Sequence, residues 1–577
     1  MRWGVFRRPV TCTKGCLMRP RIGIEVLLVM GLSIPLTAQT TRVSVDSTGA
    51  EANAASVSMA ISADGSIVVF SSFASNLVDG DTNGACDVFV LDRPAGLVQR
   101  VSVDSTGGEL NADSGVYSSP AISADGQVIA FESYASDVVA DDTNGQPDVF
   151  VHDRASGATE RVSVDSSGGE GNDGSYYPSI SADGEVVAFF SWASNLIPND
   201  TNGRTDVFVH DRQTKVTERV SISSSGTEGD LPSYYPSISA DGGIVAFSSL
   251  AFNLIPERTN GYQHVYVHDR SNGTTELVSV DASGAMGNYN SYSPSISGDG
   301  QVVAFYSYAT NLIPDDNNGF YDVYVRDRAG GVTERVSVDS TGAEANGDSF
   351  YDGLLAISLD GRTVAFQSSA TNLVGDDGNG VADIFSHDRV TGITQRVSVD
   401  SSGAEGNGPS GPRTSMSADG LLIGFSSHAT DLVPNDLNGV EDVFIHETCS
   451  IDASWSNYGE GFPGTTGVPT LTSRGDPVIG TELTLDISNS SSSYSVALFL
   501  LGFERASIPT AWGGELLVKP TFAVLLALGP SGTSIGAELP SDPSLCGFVI
   551  EAQALEVDAG AASGVSFTPG LELVFGI

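Results

Sequence analysis

The sequence predicts an all-β protein, a seven-bladed β-propeller closed by its own N-terminal strand and followed by a C-terminal β-sandwich-like domain. Three observations predict it. The stretch at residues 200–212, D-T-N-G-R-T-D-V-F-V-H-D-R, recurs seven times, with central glycines Gly84, Gly145, Gly203, Gly261, Gly319, Gly380 and Gly439 spaced 58 to 61 residues apart. A fixed period of this size marks a propeller, solenoid or array. Each repeat reads as four short strands, the unit of a propeller blade. Finally, the array is offset: a fourth-strand pattern at 41–45 precedes the first full set, and the seventh set stops after its third strand at 442–446. An orphan strand that completes the last set removes two open sheet edges, which a linear solenoid would not gain.

Within the third repeat, residues 178–181 form the first strand and 185–190 the second, joined by Ala182-Asp183-Gly184. Asp-Gly between apolar runs is a tight hairpin signal, because both residues tolerate positive φ. All seven repeats keep it, led by Asp64, Asp125, Asp183, Asp241, Asp299, Asp360 and Asp419. A longer connection then leads to a third strand at 206–211, and a short turn to a fourth at 218–222. The units S-A-D-G-x-x-V-A-F and N-G-x-x-D-V-F-V-H-D-R resemble the TolB-type, WD-repeat-like propeller units of exported bacterial proteins, over about residues 41–448. The resemblance implies the fold; it assigns no function, since such propellers serve as scaffolds, binding modules and attachments to hydrolases.

Residues 1–38 read as an export signal. Arg19 and Arg21 precede an apolar run at 22–36, and Leu36-Thr37-Ala38 fits a cleavage site, with Glu25 inside the run the one awkward residue. The domains are then the signal at 1–38, the propeller at 39–448 and the C-terminal domain at 449–577. From 450 the repeat stops, and apolar runs at 481–487, 495–501, 522–528, 548–557 and 571–575 read as strands. This segment bears a weak similarity to C-terminal domains of secreted repeat proteins. The expected destination is the extracellular space or the cell surface, with the periplasm as the alternative.

Removing 1–38 takes away six basic residues and one acidic residue, leaving 21 against 70 and a formal charge of −49. Such a surface repels nucleic acid and anionic lipid, so neither is an expected partner. It suits divalent cations or a salty medium. Three cysteines remain, Cys86, Cys449 and Cys546, of which the last two are a candidate bridge.

The tight first-to-second and third-to-fourth turns belong to one propeller face. The enlarged second-to-third and fourth-to-first connections belong to the other, the expected binding face. Two repeated constellations lie there. One is Asp-x-Asn-Gly-x-x-Asp: Asp81, Asn83, Asp87; Asp142, Asn144, Asp148; Asp200, Asn202, Asp206; Asp316, Asn318, Asp322; Asp377, Asn379, Asp383; and Asp436, Asn438, Asp442. Oxygens around a sharp glycine turn are what calcium asks for, and Asp79 makes the first copy the fullest. The competing reading is that Asn-Gly makes the turn and the Asp bonds backbone amides without metal. The fourth repeat has Arg258 and His264 at the two acid positions and is expected to bind nothing.

The other constellation is Glu-x-Asn, as in Glu109, Asn111 and Glu170, Asn172, followed by Tyr117, Tyr176, Tyr177, Tyr234, Tyr235, Tyr292 and Tyr351. Aromatic rings beside amides and carboxylates stack on sugars and bond their hydroxyls; the alternative is that the rings pack between blades. His152, His210, His268, His387 and His446 share one repeat position, which points to a structural task. No histidine stands beside a serine or cysteine nucleophile signature, and no G-x-S-x-G occurs. The expectation is a non-catalytic binder of an extracellular polysaccharide or surface protein. A propeller glycosidase or polysaccharide lyase and a structural envelope protein are the alternatives.

Overall fold

The computed structural model describes residues 39–349, 353–448, 453–478, 481–539 and 548–576. The signal segment, Tyr351 and the Cys449–Cys546 pairing lie outside them. The chain divides into two compact units, Thr37–Cys449 and a second containing Ser450–Ile577. Among the described residues every regular element is a strand, and no helix is long and apolar enough to cross a membrane.

The larger unit contains seven four-stranded antiparallel sheets, six of them in sequential strand order. The third is representative, with strands Ser175–Ile180, Val186–Ser191, Asp206–Asp211 and Val216–Arg219. Its second strand is buried at every position. V-V-A-F-F-S is a continuous apolar run because neighbouring sheets cover both of its faces, where a half-exposed strand would alternate. Phe189 and Phe208 fill the space against Val149 and Val151 of the sheet before. The fourth strand starts two residues earlier than its β-pattern suggests, because Val216 pairs with Asp211 across a tight turn.

The seventh sheet takes its fourth strand from the chain start: Thr40–Arg42 pairs antiparallel with Asp442–Glu447, Thr41 opposite Ile445. The first-to-second turns form an unbroken circuit. Ala63 N–H donates to Ala124 O, Ala124 to Ala182, Ala182 to Ala240, Ala240 to Gly298, Gly298 to Leu359, Leu359 to Ala418, and Ala418 back to Ala63. That closed circuit is the architecture of a β-propeller. In each turn the Asp carboxylate, as Asp183 does, accepts from a serine hydroxyl and the amide two residues on. Gly184 has φ 75°, and a Cβ there would meet Val128 of the adjacent sheet at 2.7 Å.

Five of the seven sheets carry a histidine staple. In the third, His210 Nδ1 lies 2.8 Å from Thr217 Oγ1, whose hydroxyl donates to Val164 O of the preceding repeat. The threonine proton is therefore spent, and Nδ1–H must be the donor, which fixes the tautomer. His152, His268, His387 and His446 repeat the contact with Thr159, Thr275, Thr394 and Thr40. In the fifth sheet Arg326 donates to Thr333 instead. In the first, Leu91 pairs with Val98, so donor and acceptor are lost together.

The C-terminal unit has a sheet with central strands Ser495–Gly502 and Val549–Val557, flanked by Phe522–Leu528, Gly570–Val574, Ser454–Tyr458 and Val565–Phe567. A three-stranded and a two-stranded sheet accompany it. Leu500, Leu555 and Phe567 form a core with Phe462 and Leu516 packed on it.

Candidate functional site

The Asp-x-Asn-Gly-x-x-Asp and Glu-x-Asn constellations are two halves of one device. In the first sheet Arg100 Nη1 lies 2.6 Å from Glu109, 3.4 Å from Asp87 and 3.6 Å from Asp81. Glu109 comes from the fourth-to-first connection. It accepts from the Thr82 amide and hydroxyl and the Asn83 amide in the second-to-third connection. Both enlarged connections therefore share a face. Against the cost of burial, these donors and Arg100 hold the Glu109 carboxyl down at about 2.

The same cluster is built by Arg161 with Asp142, Asp148 and Glu170, and by Arg219 with Asp200, Asp206 and Glu228. Arg335 joins Asp316, Asp322 and Glu344; Arg396 joins Asp377 and Glu405 beside Asp383; and Arg42 joins Asp436, Asp442 and Glu51. Each asparagine is consumed within the device, bonding its own loop and the fourth-to-first connection. Asn83 Nδ2 donates to Asp87 and Leu110 O, and Asn144, Asn202, Asn318, Asn379 and Asn438 donate alike. The second Asp of each set receives a serine hydroxyl, Ser102 on Asp87 for example.

Whether these clusters suit calcium is decided by the arginine. In three of them one oxygen from each of three acids lies within 4.8 Å of the others, a donor set for a hard cation. Oδ1 of Asp142, Asp200, Asp316, Asp377 and Asp436 is buried without a hydrogen-bond partner. Yet the guanidinium already stands among the carboxylates, where an ion would sit. As built, each cluster already carries its own cation, with which a bound metal would compete. Asp79 takes no place in the acidic group formed by Asp81, Asp87 and Glu109. Burial pushes the Asp200 and Asp377 carboxyls up to about 6.

The fourth repeat replaces the whole set at once. Arg258 and His264 stand for the two Asp, Leu277 for the Arg and Met286 for the Glu. His264 bonds Ser279 and Asn260 as the Asp would, and burial lowers it to about 4. Arg258 turns outward over the Phe252 ring, 4.4 Å from its centroid. Charges that vanish together form a unit.

The amides expected to bind ligand are also spent. Asn111 accepts from the Ser136 amide and donates to its hydroxyl, and Asn172 does the same with Ser194. Of the tyrosines, Tyr117 is 57% exposed and packs its ring on Tyr134. Tyr176 and Tyr177 pack on Phe190, Tyr177 meets Tyr235 edge to face at 4.9 Å, Tyr234 meets Phe190, and Tyr292 lies by Tyr321. The sequence reading missed a second aromatic position, immediately after each second strand. It holds Phe73, Tyr134, Trp192 and Tyr308, with Leu250, Ser369 and His428 in the other repeats. Phe73, Tyr134 and Trp192 are 42%, 39% and 47% exposed. The signal was available: a position varying inside an otherwise uniform repeat.

No family model matches the chain, and no curated protein does. Solved structures with a similar fold include a putative TolB from Agrobacterium tumefaciens, 16% identical over 57% of this chain and 88% of that one, with TM-score 0.30. The RRP9 WD40 repeats match at 9% identity over 68% and 94%, TM-score 0.35. The extracellular domain of a putative hybrid two-component system from B. thetaiotaomicron matches at 9% over 92% and 59%, TM-score 0.37. At these scores the likenesses say nothing of function, and the fold stands on its strand pairing and closed circuit.

Proposed function

We propose that the chain is an exported seven-bladed propeller with a C-terminal β-sandwich-like domain, and that it acts by binding a polysaccharide outside the cell on its loop-rich face. The observation that carries this reading is the set of exposed aromatic rings there, Phe73, Tyr134 and Trp192 with Tyr117 and the 38%-exposed Tyr289. A face that leaves such rings in water offers stacking platforms for sugar rings. The acid clusters beneath act as clasps between repeats, so binding needs no calcium. Catalysis plays no part in this reading.

The test is retention on an insoluble polysaccharide of a Tyr134→Ala/Trp192→Ala variant. Retention falling at least tenfold with an unchanged melting temperature supports the reading. Undiminished retention contradicts it, and release of soluble sugar from the polymer would favour a glycosidase or lyase instead.

A further inference from the structure

The first strands of all seven sheets line a central channel of about 320 Å³. The strands that line it run from the enlarged fourth-to-first connections to the circuit of tight turns. The cross-strand register makes Ile61, Ile122, Ile180, Ile238, Ile296, Ile357 and Met416 equivalent. Three residues before each stands a rim residue, and here the repeat abandons its symmetry: Ser58, Ser119 and Ser293, Tyr177 and Tyr235, Leu354, and Arg413.

Three features set this rim apart from ordinary packing. Tyr177 and Tyr235 have φ 53° and Ser293 φ 46°, and each precedes a proline, Pro178, Pro236 or Pro294. Left-handed backbone is costly for a residue with a Cβ, and such outliers cluster at ligand sites. Among the described residues that line it the channel wall is uncharged, and Arg413 stands at its edge, next to the lining residue Thr414. It donates to Ser58 Oγ and Tyr117 O. Behind it Glu132, fully buried, accepts from the Tyr117 and Ser118 amides and the Ser118 hydroxyl, fixing the segment that carries Ser119. Finally, Ser119, a residue of the channel wall, carries a hydroxyl that is buried without a hydrogen-bond partner.

Building on the polysaccharide reading, we propose that the channel mouth binds one end of a neutral saccharide chain, with the terminal ring against Tyr177 and Tyr235 and its hydroxyls on Arg413 and Ser119. A ring with one apolar face and a hydroxyl edge matches a site of aromatic edges with few polar groups. The volume admits an end unit and not a polymer lying across. The ligand is neutral because the strongly acidic chain, with a formal charge of −44, opposes an anion.

The test titrates the full mature protein with cellotriose, xylotriose, maltotriose and chitotriose by calorimetry, and repeats any positive titration with Ser119→Ala, Arg413→Gln and Tyr134→Ala/Trp192→Ala. The expected result is saturable binding of one trisaccharide per chain. Ser119→Ala and Arg413→Gln weaken it about tenfold or more, at melting temperatures within a few degrees of the parent for Ser119→Ala. The face variant keeps trisaccharide binding while losing polymer retention. Polymer retention without any trisaccharide binding overturns the channel site and leaves the face standing. Trisaccharide binding without polymer retention does the reverse. Binding indifferent to both rim substitutions also overturns the channel site.

Discussion

Glu109 reaches back across the repeat boundary to Arg100 at 2.6 Å and, with the same carboxylate, closes the Thr82–Asn83 loop. One side chain thus joins the fourth-strand cation of one sheet to the connection that enters the next. Six repeats have this clasp, and the one without it lacks all four charges.

Removing one member should therefore cost more than removing all. Arg219→Leu leaves Asp200, Asp206 and Glu228 facing one another in a largely buried site and is expected to destabilise by about 3–5 kcal/mol. Combining it with Asp200→Arg, Asp206→His and Glu228→Met reproduces the fourth repeat and should recover most of that loss. Urea melts followed by tryptophan fluorescence measure both. Equal destabilisation by the single and fourfold variants would break the link between the four residues.

Lys215 occupies a turn position that five other repeats give to glycine. Its φ is 59°, against 63° to 73° for Gly96, Gly157, Gly273, Gly331 and Gly392. Lys215→Gly should raise stability by about 0.5–1 kcal/mol, since left-handed backbone is costly for a residue with Cβ. The ion pair it loses, to Glu160 at 2.9 Å, is solvent-exposed and worth little. A lower melting temperature would contradict this.

Ring closure carries its own pH dependence. His446, bonded to Thr40 of the closing strand, is lowered by burial from 6.5 to about 4. The unfolded chain therefore takes up a proton there first, so this contribution is full above about pH 6.5 and is lost progressively as pH falls toward 4. Asp200 and Asp377, raised by burial to about 6, act in the opposite sense: their folded forms favour the proton and gain as pH falls. Amide exchange of residues 40–42 should accelerate between pH 7 and 4.5 relative to the Val186–Ser191 strand, after correction for intrinsic rates. Parallel slowing of both would show that closure does not depend on His446.

The architecture was legible because the period, the Asp-Gly turns and the offset N-terminal strand are local signals. The strand at 178–181 proved to begin at Ser175 because a register shift between Tyr176 and Ser179 carries the pairing past the proline. The site was less legible. Asp81 and Glu109 read as members of two constellations because 27 residues of chain separate the hydrogen-bonded Thr82 and Glu109, and only the propeller turn brings them together. Arg100 read as a partner for nearby acids, but nothing local says that it stands between the very acids assigned to a metal. Trp192 was not legible as a site residue because its position varies from repeat to repeat, holding Phe73, Tyr134, Leu250, Tyr308, Ser369 or His428 elsewhere.

The most direct measurement is retention of the mature protein on a panel of insoluble neutral polysaccharides, in calcium and again in EDTA. The account predicts retention on at least one polymer, equal in both buffers, because the rings that bind are exposed and the acid clusters hold an arginine. Retention in calcium alone would show that a metal completes the face after all, and retention in neither buffer would contradict the binding function itself.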